Sequence, residues 1–410
     1  MRGTYSFLKP ILLLAFCLWG LGLRAQGEGD SLEVSLLTCS PGEEVYSLYG
    51  HTALRVRSQG GGEDVVFNYG VFDFRSPHFV WRFILGRCDY MVTAVPYDYF
   101  LSGYLERGSY VLEQTLSLSP QEAQRLLAAL LDNLRPERRT YRYNYLTENC
   151  TTKVRDILAA SLDGQIVLSP ETERKTYRGL MHEWTVDHPW ARLGDDLLLG
   201  SECDTLLTPW ASLFLPFRLA QGLEGARVQD ADGSLRPLVV ETRTLSSPSA
   251  PRPSESRCVT PLVASWLFLA LCLVVGAVEV LTRRQWWWLD ILVMTGIGLA
   301  GCLLCFMFFF SQHPTVDSNW QIWLFNPLPL LCVPWVVAQA LRRRPSEPES
   351  SPNKQLRGTK CLYHWLNTVI LAAFLLFFPW IPQHFSEITL PLALGSLLRS
   401  LSYTISYTRR

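Results

Sequence analysis

Five long apolar stretches fill the carboxyl-terminal part of this 410-residue chain, and nothing constrains its fold more. They run roughly over Cys258–Leu281, Trp286–Phe310, Trp320–Leu341, Leu362–Ile381 and Ile388–Tyr403. Most are near the ~20 residues that a helix needs to cross a bilayer. Thr282-Arg283-Arg284-Gln285, then Arg342-Arg343-Arg344 through Lys360, then Arg409-Arg410 hold nearly all the positive charge of this half. The alternate loops, Ser311–Asn319 and Pro382–Glu387, contain no Lys or Arg. By the positive-inside rule the basic loops and the carboxyl terminus are cytoplasmic, and everything before residue 258 lies outside. Arg399, within the fifth stretch, is expected to snorkel toward the inner surface. Glu279 and Asp290, close to the same boundary, are expected to snorkel or be solvated there. Trp286-Trp287-Trp288 reads as an interfacial belt.

The amino terminus agrees with that orientation. Arg2 and Lys9 precede an apolar core, Pro10–Leu23, and small Ala25 before Gln26 marks a cleavage point, so residues 1–25 read as a signal peptide. An uncleaved anchor is the alternative. Residues 26–243 then form an exported domain, 244–257 a Ser/Pro-rich tether, and 258–410 the membrane part. Lys and Arg number 37 against 37 Asp and Glu, a balance without the basic surplus that binding to nucleic acid demands.

Within the exported domain the pattern predicts an α+β fold. Glu33–Leu37, Ala53–Arg57 and Asp64–Asn68 read as strands, with Gly60-Gly61-Gly62 turning between the last two. Ser119-Pro120-Gln121-Glu122 is a capping box, and Leu126, Leu127, Leu130, Leu131 and Leu134 form the apolar face of the helix it opens. Asn149-Cys150-Thr151-Thr152 opens another, with Val154, Ile157, Leu158 and Leu162 as its buried stripe. His182 and His188, beside Trp184 and Trp190, read as packing, and Asp195-Asp196 as a turn or cap.

Four of the 11 cysteines lie in this domain: Cys39, Cys88, Cys150 and Cys203. An exported domain could pair them, but spacing fixes no pairing. Neither a CxxC site there nor an HxxxH spacing exists, so no metal and no other cofactor is expected. Cys150 stands apart in its setting. With Asn149 as the N-cap it falls in a first helical turn, where the helix dipole favours a thiolate and free N–H groups can hold an oxyanion. His51, opening a strand in Tyr49-Gly50-His51-Thr52, is the best-placed base, with Gly50 leaving room beside it for a substrate. The residue that orients the imidazole is Asn68 or, as second choice, Asp73. Tyr49, Gly50, Asn149 and Thr151 line the expected site. His313 and Asn319, on an outer loop, could hold a lipid headgroup.

The order of a His on a strand, a polar residue on the next and Asn-Cys at a helix start resembles the permuted NlpC/papain-like fold, to which lecithin:retinol acyltransferase belongs. Further blocks resemble the Lnb-type bacterial lipoprotein N-acyltransferases. These are residues 49–56 and 67–74, Tyr143-Asn144-Tyr145, residues 149–156, Leu193-Gly194-Asp195-Asp196-Leu197, and His313-Pro314, Asn319-Trp320 and Asn326-Pro327-Leu328. The resemblance implies a permuted NlpC/papain-like thiol domain followed by an all-α bundle of five membrane helices. It further implies an inner-membrane enzyme that moves a fatty acyl chain from a phospholipid to the α-amino group of a diacylglyceryl-cysteine lipoprotein. A membrane-tethered thiol hydrolase, cutting cell-wall peptides or lipid esters, would use the same dyad, and a non-enzymatic scaffold would need neither residue.

Overall fold

The computed structural model describes residues 31–245, apart from 43, 74 and 171–173, together with 259–282, 286–342 and 354–408. The signal peptide, nearly all of the tether and the basic loops beyond Thr282 and Arg342 lie outside the described residues.

The first domain is organised by one antiparallel sheet of seven strands. β1 (Leu32–Cys39), β2 (His51–Ser58) and β3 (Asp64–Val71) include the three expected strands and extend each of them. α1 (Phe79–Ile84), β4 (Asp89–Pro96), α2 (Tyr97–Glu106), β5 (Val111–Leu116), α3 (Pro120–Asn133), β6 (Thr140–Arg142) and α4 (Cys150–Ser161) follow. Next come β7 (Gln165–Val167), α5 (Tyr177–Trp184), α6 (Pro189–Leu198), the single turn α7 (Pro209–Ser212) and α8 (Pro216–Glu224). β8 (Arg227–Gln229), β9 (Leu235–Pro237) and β10 (Val239–Thr244) close the domain. The main sheet has the order β10-β5-β1-β2-β3-β4-β6, and β7, β8 and β9 form a small second sheet.

Both faces of the main sheet are covered, so β1 and β2 are buried along most of their length. On one face Leu36, Leu54 and Phe67 meet Leu126 and Leu130 of α3 and Val154 and Leu158 of α4. On the other, Leu37, Ala53 and Val66 meet Phe100 of α2. The capping box of α3 is closed in both directions: Glu122 N–H donates to Ser119 Oγ (3.2 Å), and Ser119 N–H donates to Glu122 Oε2 (2.7 Å).

The register determines which end of the sheet matters. Cys39, the last residue of β1, pairs with His51, the first of β2, and with Val111, the first of β5. β3 ends and β4 begins at that same end, where Asp89 pairs with Arg142 of β6. This end faces the membrane domain. Arg142 donates to Gln312 (3.1 Å), Gln312 N–H donates to Leu85 O just past α1 (2.9 Å), and Tyr145 Oη donates to Pro314 O (2.9 Å).

The membrane domain consists of α9 (Pro261–Thr282), α10 (Trp287–Phe310), α11 (Leu328–Arg342), α12 (Lys354–Phe377) and α13 (Thr389–Thr408). Among the described residues four segments are long and apolar enough to cross a membrane: Pro261–Thr282, Trp287–Phe310, Trp320–Ala338 and Leu362–Trp380. The third differs from the expected Trp320–Leu341 helix. It opens as a short 3-10 turn, Trp320–Trp323, and becomes α-helical only at Leu328, after Asn326-Pro327. Proline restricts the residue before it, and at this break the chain also passes so close to Gly301 of α10 that a Cβ there would lie 2.5 Å from Asn326 O.

A second correction concerns charge. Arg399 does not snorkel, and Glu279 and Asp290 are not solvated; all three are about 3% exposed and meet between α9, α10 and α13. Arg399 donates to Glu279 Oε2 (2.8 Å) and Asp290 Oδ1 (2.6 Å), while Ser402 Oγ and Trp286 N–H donate to Glu279. Pairing removes the cost of an isolated ion among apolar side chains, so the helices converge on the charges instead of extruding them. Removing one partner strands the others. Arg399→Ala is expected to destabilise the full-length protein by about 3 kcal/mol in a detergent unfolding titration. Unchanged stability would refute a role for the cluster in holding the bundle.

Candidate active site

Cys150 is the first residue of α4, and the Asn149 side chain fixes that start. Its Oδ1 accepts from Thr151 N–H (2.8 Å) and Thr152 N–H (2.9 Å), and its Nδ2 donates to Tyr145 O (2.9 Å) and Phe214 O (3.0 Å). Thr152 Oγ1 accepts in turn from Asn149 N–H (2.9 Å). Two of the N–H groups expected to be open are therefore occupied by the cap. The donor that α4 keeps for an oxyanion is the N–H of Cys150 itself.

His51 opens β2 beside it. Its Nε2 lies 2.6 Å from Asn68 Oδ1 on β3, which leaves Nδ1 free of that contact, and the imidazole and the Cys150 thiol shift one another's ionisation. Asp73 is not brought in: it lies beyond the end of β3 on an exposed turn, where its Oδ1 accepts from Arg75 N–H (2.9 Å). Gly70 sits against both reacting groups. A Cβ there would be 3.4 Å from Cys150 Cβ and 4.0 Å from His51 Cε1, and its φ of +84° suits glycine. Cys150, His51 and Asn68 each keep partial exposure, whereas Thr52, Tyr69 and Thr151 behind them are buried.

Burial pushes the Cys150 thiol up. The charge of His51, its hydrogen bond, the Thr52 N–H and the Thr151 hydroxyl outweigh that and bring the thiol below its usual value. For His51, burial pushes down, while the charge and hydrogen bond of Cys150 and the contact with Asn68 lift it above its usual value, against the charge of Arg107. Opposite shifts of this kind describe a thiolate–imidazolium pair. Cys39, which pairs with His51 in register, is different: burial raises its thiol, and it is hydrogen-bonded to Tyr104. Among the described residues no disulfide is formed, and Cys39, Cys88, Cys150 and Cys203 are free thiols. No cluster of His, Cys, Asp and Glu suited to a metal occurs among the described residues.

The other expected site residues occupy structural positions. Gly50 (φ +80°) does not make room for a substrate: a Cβ there would meet Cys39 O at 2.6 Å and the Phe217 ring. Thr151 is fully buried, with Oγ1 3.0 Å from Thr52 Oγ1. Tyr49 Oη donates to Asp195 Oδ2 (2.5 Å). Burial pushes Asp195 up to about 6, against that hydrogen bond, and the neighbouring Asp196 adds to the rise. Neither aspartate is a turn or cap. Both lie within α6, and Asp196 accepts from fully buried Arg178 (3.0 Å) and from His182 Nε2 (2.8 Å), whose Nδ1 accepts from Arg192 (3.0 Å). Spacing alone gave no signal for that network, because its members are 4 to 18 residues apart on two helices without a common period.

His313 and Asn319 are both used in docking the two domains. His313 Nε2 donates to Phe83 O (2.6 Å). Asn319 Nδ2 donates to Leu197 O (2.8 Å), Gln321 Nε2 to Asp196 O (2.6 Å) and Gln383 Nε2 to Leu199 O (3.2 Å). Three amides of the membrane domain thus satisfy the carbonyls at the carboxyl end of α6 that a helix leaves unpaired. Gly200 follows, packed so closely on Thr315 and Ser318 that a Cβ would overlap Thr315 O.

Family models match on both sides of this junction. Residues 23–183 match the Lnb N-terminal periplasmic domain, and residues 253–346 and 351–410 match the Lnb transmembrane domain. The chain belongs to the Lnb family. It is accordingly a multi-pass inner-membrane protein with its amino-terminal domain in the periplasm, and the lipid bilayer is its immediate surroundings. No curated protein and no solved structure matches it. His51, Asn68 and Cys150 all fall within the part shared with the Lnb periplasmic domain.

The opposed shifts of Cys150 and His51 have a measurable consequence. A folded-state thiol held below its usual value is a thiolate above that lowered pKa. Alkylation of Cys150 by iodoacetamide, followed by peptide mass spectrometry, is expected to rise through an inflection below the ordinary ~8.5. In His51→Ala the inflection should move upward. The same inflection in both proteins would refute the ion pair.

Proposed function

We propose that this Lnb family member is a cysteine-dependent lipoprotein N-acyltransferase. The observation that supports the reading best is the Cys150–His51–Asn68 arrangement at the end of the sheet that faces the membrane domain. We read the domain as NlpC/papain-like and permuted, with the helix that bears the nucleophile after the strand that bears the base. We also read α13 as a fifth membrane crossing, its one arginine neutralised by Glu279 and Asp290.

In the first half-reaction the Cys150 thiolate attacks an ester carbonyl of a phospholipid. The carbonyl π electrons move to oxygen, where the Cys150 N–H can stabilise them. The C–O bond then breaks, and the leaving lysophospholipid oxygen takes the proton held on His51, leaving an acyl-thioester on Cys150. In the second, the neutral α-amino group of a diacylglyceryl-cysteine lipoprotein attacks the thioester. His51 takes the proton that the nitrogen loses, and the C–S bond breaks to return the thiolate and give an amide. Asn68 keeps the imidazole oriented through both steps. Exclusion of water separates this enzyme from a phospholipase. A membrane-tethered thiol hydrolase of the same fold is the second reading, favoured by the partial exposure of the dyad.

Cells lacking their own N-acylation step, given this protein, are expected to show an amide-linked third acyl chain on a lipoprotein's amino-terminal peptide. Cys150→Ala should abolish it. An unchanged diacyl peptide with the protein present in the membrane would support the hydrolase instead. In purified protein His51→Ala should slow formation of the acyl-thioester by about 10²–10⁴-fold. Asn68→Ala should slow it by about tenfold to a hundredfold, the scale of one orienting hydrogen bond. Full activity in Cys150→Ala or His51→Ala would defeat the mechanism.

A further inference from the structure

The sheet end that holds the dyad also holds a cation that no carboxylate pairs with among the described residues. Arg107 follows α2 directly, and Gly108 (φ +70°) ends the helix there. Its guanidinium carbon lies 4.1 Å from the centre of the Tyr104 ring, and the Tyr104 ring is stacked on that of His51, with centroids 6.5 Å apart and planes 12° from parallel. One aromatic ring therefore separates Arg107 from the catalytic base. The charge of Arg107 is felt at His51, Cys39 and Tyr104.

Several neighbouring cations are committed elsewhere. Arg82 and Arg142 pair with Asp89, Lys153 with Glu148, Arg155 with Asp156, and Arg178 with Asp196 and Asp204. Arg107 is exposed, and among the described residues no carboxylate pairs with it. The ring beneath it restrains the guanidinium, and among the described residues no acceptor is hydrogen-bonded to it. A planar fork held in this way suits an oxyanion with two adjacent oxygens better than a single carbonyl.

In a glycerophospholipid the phosphodiester lies one glycerol unit from the ester carbonyls. The geometry points to Arg107 as the residue that docks the donor's phosphate, so that an ester carbonyl is presented to Cys150. This rests on the acyltransferase reading for the identity of the donor. It makes Arg107 a specificity-determining residue for anionic phosphodiester headgroups, whatever group lies beyond the phosphate. A cation at the carboxyl end of a helix is also favourable by itself, so a purely structural role is the alternative to exclude.

The test compares two donors with the full-length protein in mixed micelles: phosphatidylethanolamine, and p-nitrophenyl palmitate, which has no phosphate. Formation of acyl-Cys150 is followed by mass spectrometry for wild type, Arg107→Ala and Arg107→Lys. In Arg107→Ala the ratio of kcat/KM for the phospholipid to that for the phosphate-free ester should fall about tenfold to a hundredfold, mainly through KM, as expected for loss of charge-assisted hydrogen bonds. Arg107→Lys, which keeps the charge without the fork, should fall between the two. A ratio unchanged in Arg107→Ala, whether both donors slow together or neither does, overturns the proposal.

A separate readout keeps this distinct from the acyltransferase reading. Glycerol 3-phosphate should protect Cys150 from iodoacetamide in wild type and not in Arg107→Ala. If wild type forms no acyl-enzyme from either donor, the acyltransferase reading fails while phosphate docking is judged by protection. Equal protection of both proteins, or of neither, overturns the docking.

Discussion

The carboxamide of Asn149 makes four hydrogen bonds to backbone, and the site depends on them. Two turn the first N–H groups of α4 into a capped start, and two anchor that start to Tyr145 and Phe214. The side chain has no further strong donor or acceptor to satisfy, so the position of Cys150 is over-determined by neutral contacts. Electrostatic tuning is then left to other groups. His51, the Thr52 N–H and the Thr151 hydroxyl shift the thiol, while the cap fixes where it stands. On the proposed reading, separating position from charge lets a partly exposed nucleophile stay reactive without a buried ion to hold it in place.

The two halves of the molecule treat charge in opposite ways. Around the dyad most cations are neutralised by nearby carboxylates, whereas Arg107 rests on the Tyr104 ring. Inside the bundle one arginine and two carboxylates are gathered into a single point shared by three helices. A cavity of about 340 Å³, lined by apolar side chains such as Leu292, Ile297 and Phe325, lies close to that point and draws no residue from the periplasmic domain. It belongs to the bundle and not to the dyad.

What could be read from the sequence was local. Strand alternation, the Ser119 capping box and the Asn149 start of α4 are each decided within about one turn or one strand, and the structure places them there. His51 was legible because it opens a strand. Asn68 and Asp73 could be separated only by the end of β3: it stops at Val71, so Asn68 remains in the ladder facing His51 and Asp73 falls on the turn. The charged cluster was not legible, since its members are up to 120 residues apart and each alone resembles a boundary residue. The stack of Arg107 on Tyr104 on His51 was missed for the same reason. It joins a helix end to a strand start through packing, which no spacing encodes.

The amides of Asn319, Gln321 and Gln383 grip backbone carbonyls at the end of α6, and backbone carbonyls neither titrate nor swing on rotamers. Together with the close approach at Gly200, they join the two domains through groups that do not titrate, and His313 is the titratable contact beside them. The position of Cys150 relative to the membrane helices is then set by that junction, as a length is set by a gauge block. On the proposed acyltransferase reading, a lipid has to bring its carbonyl to that level, so that depth selects the group that meets the sulfur before a side chain recognises it.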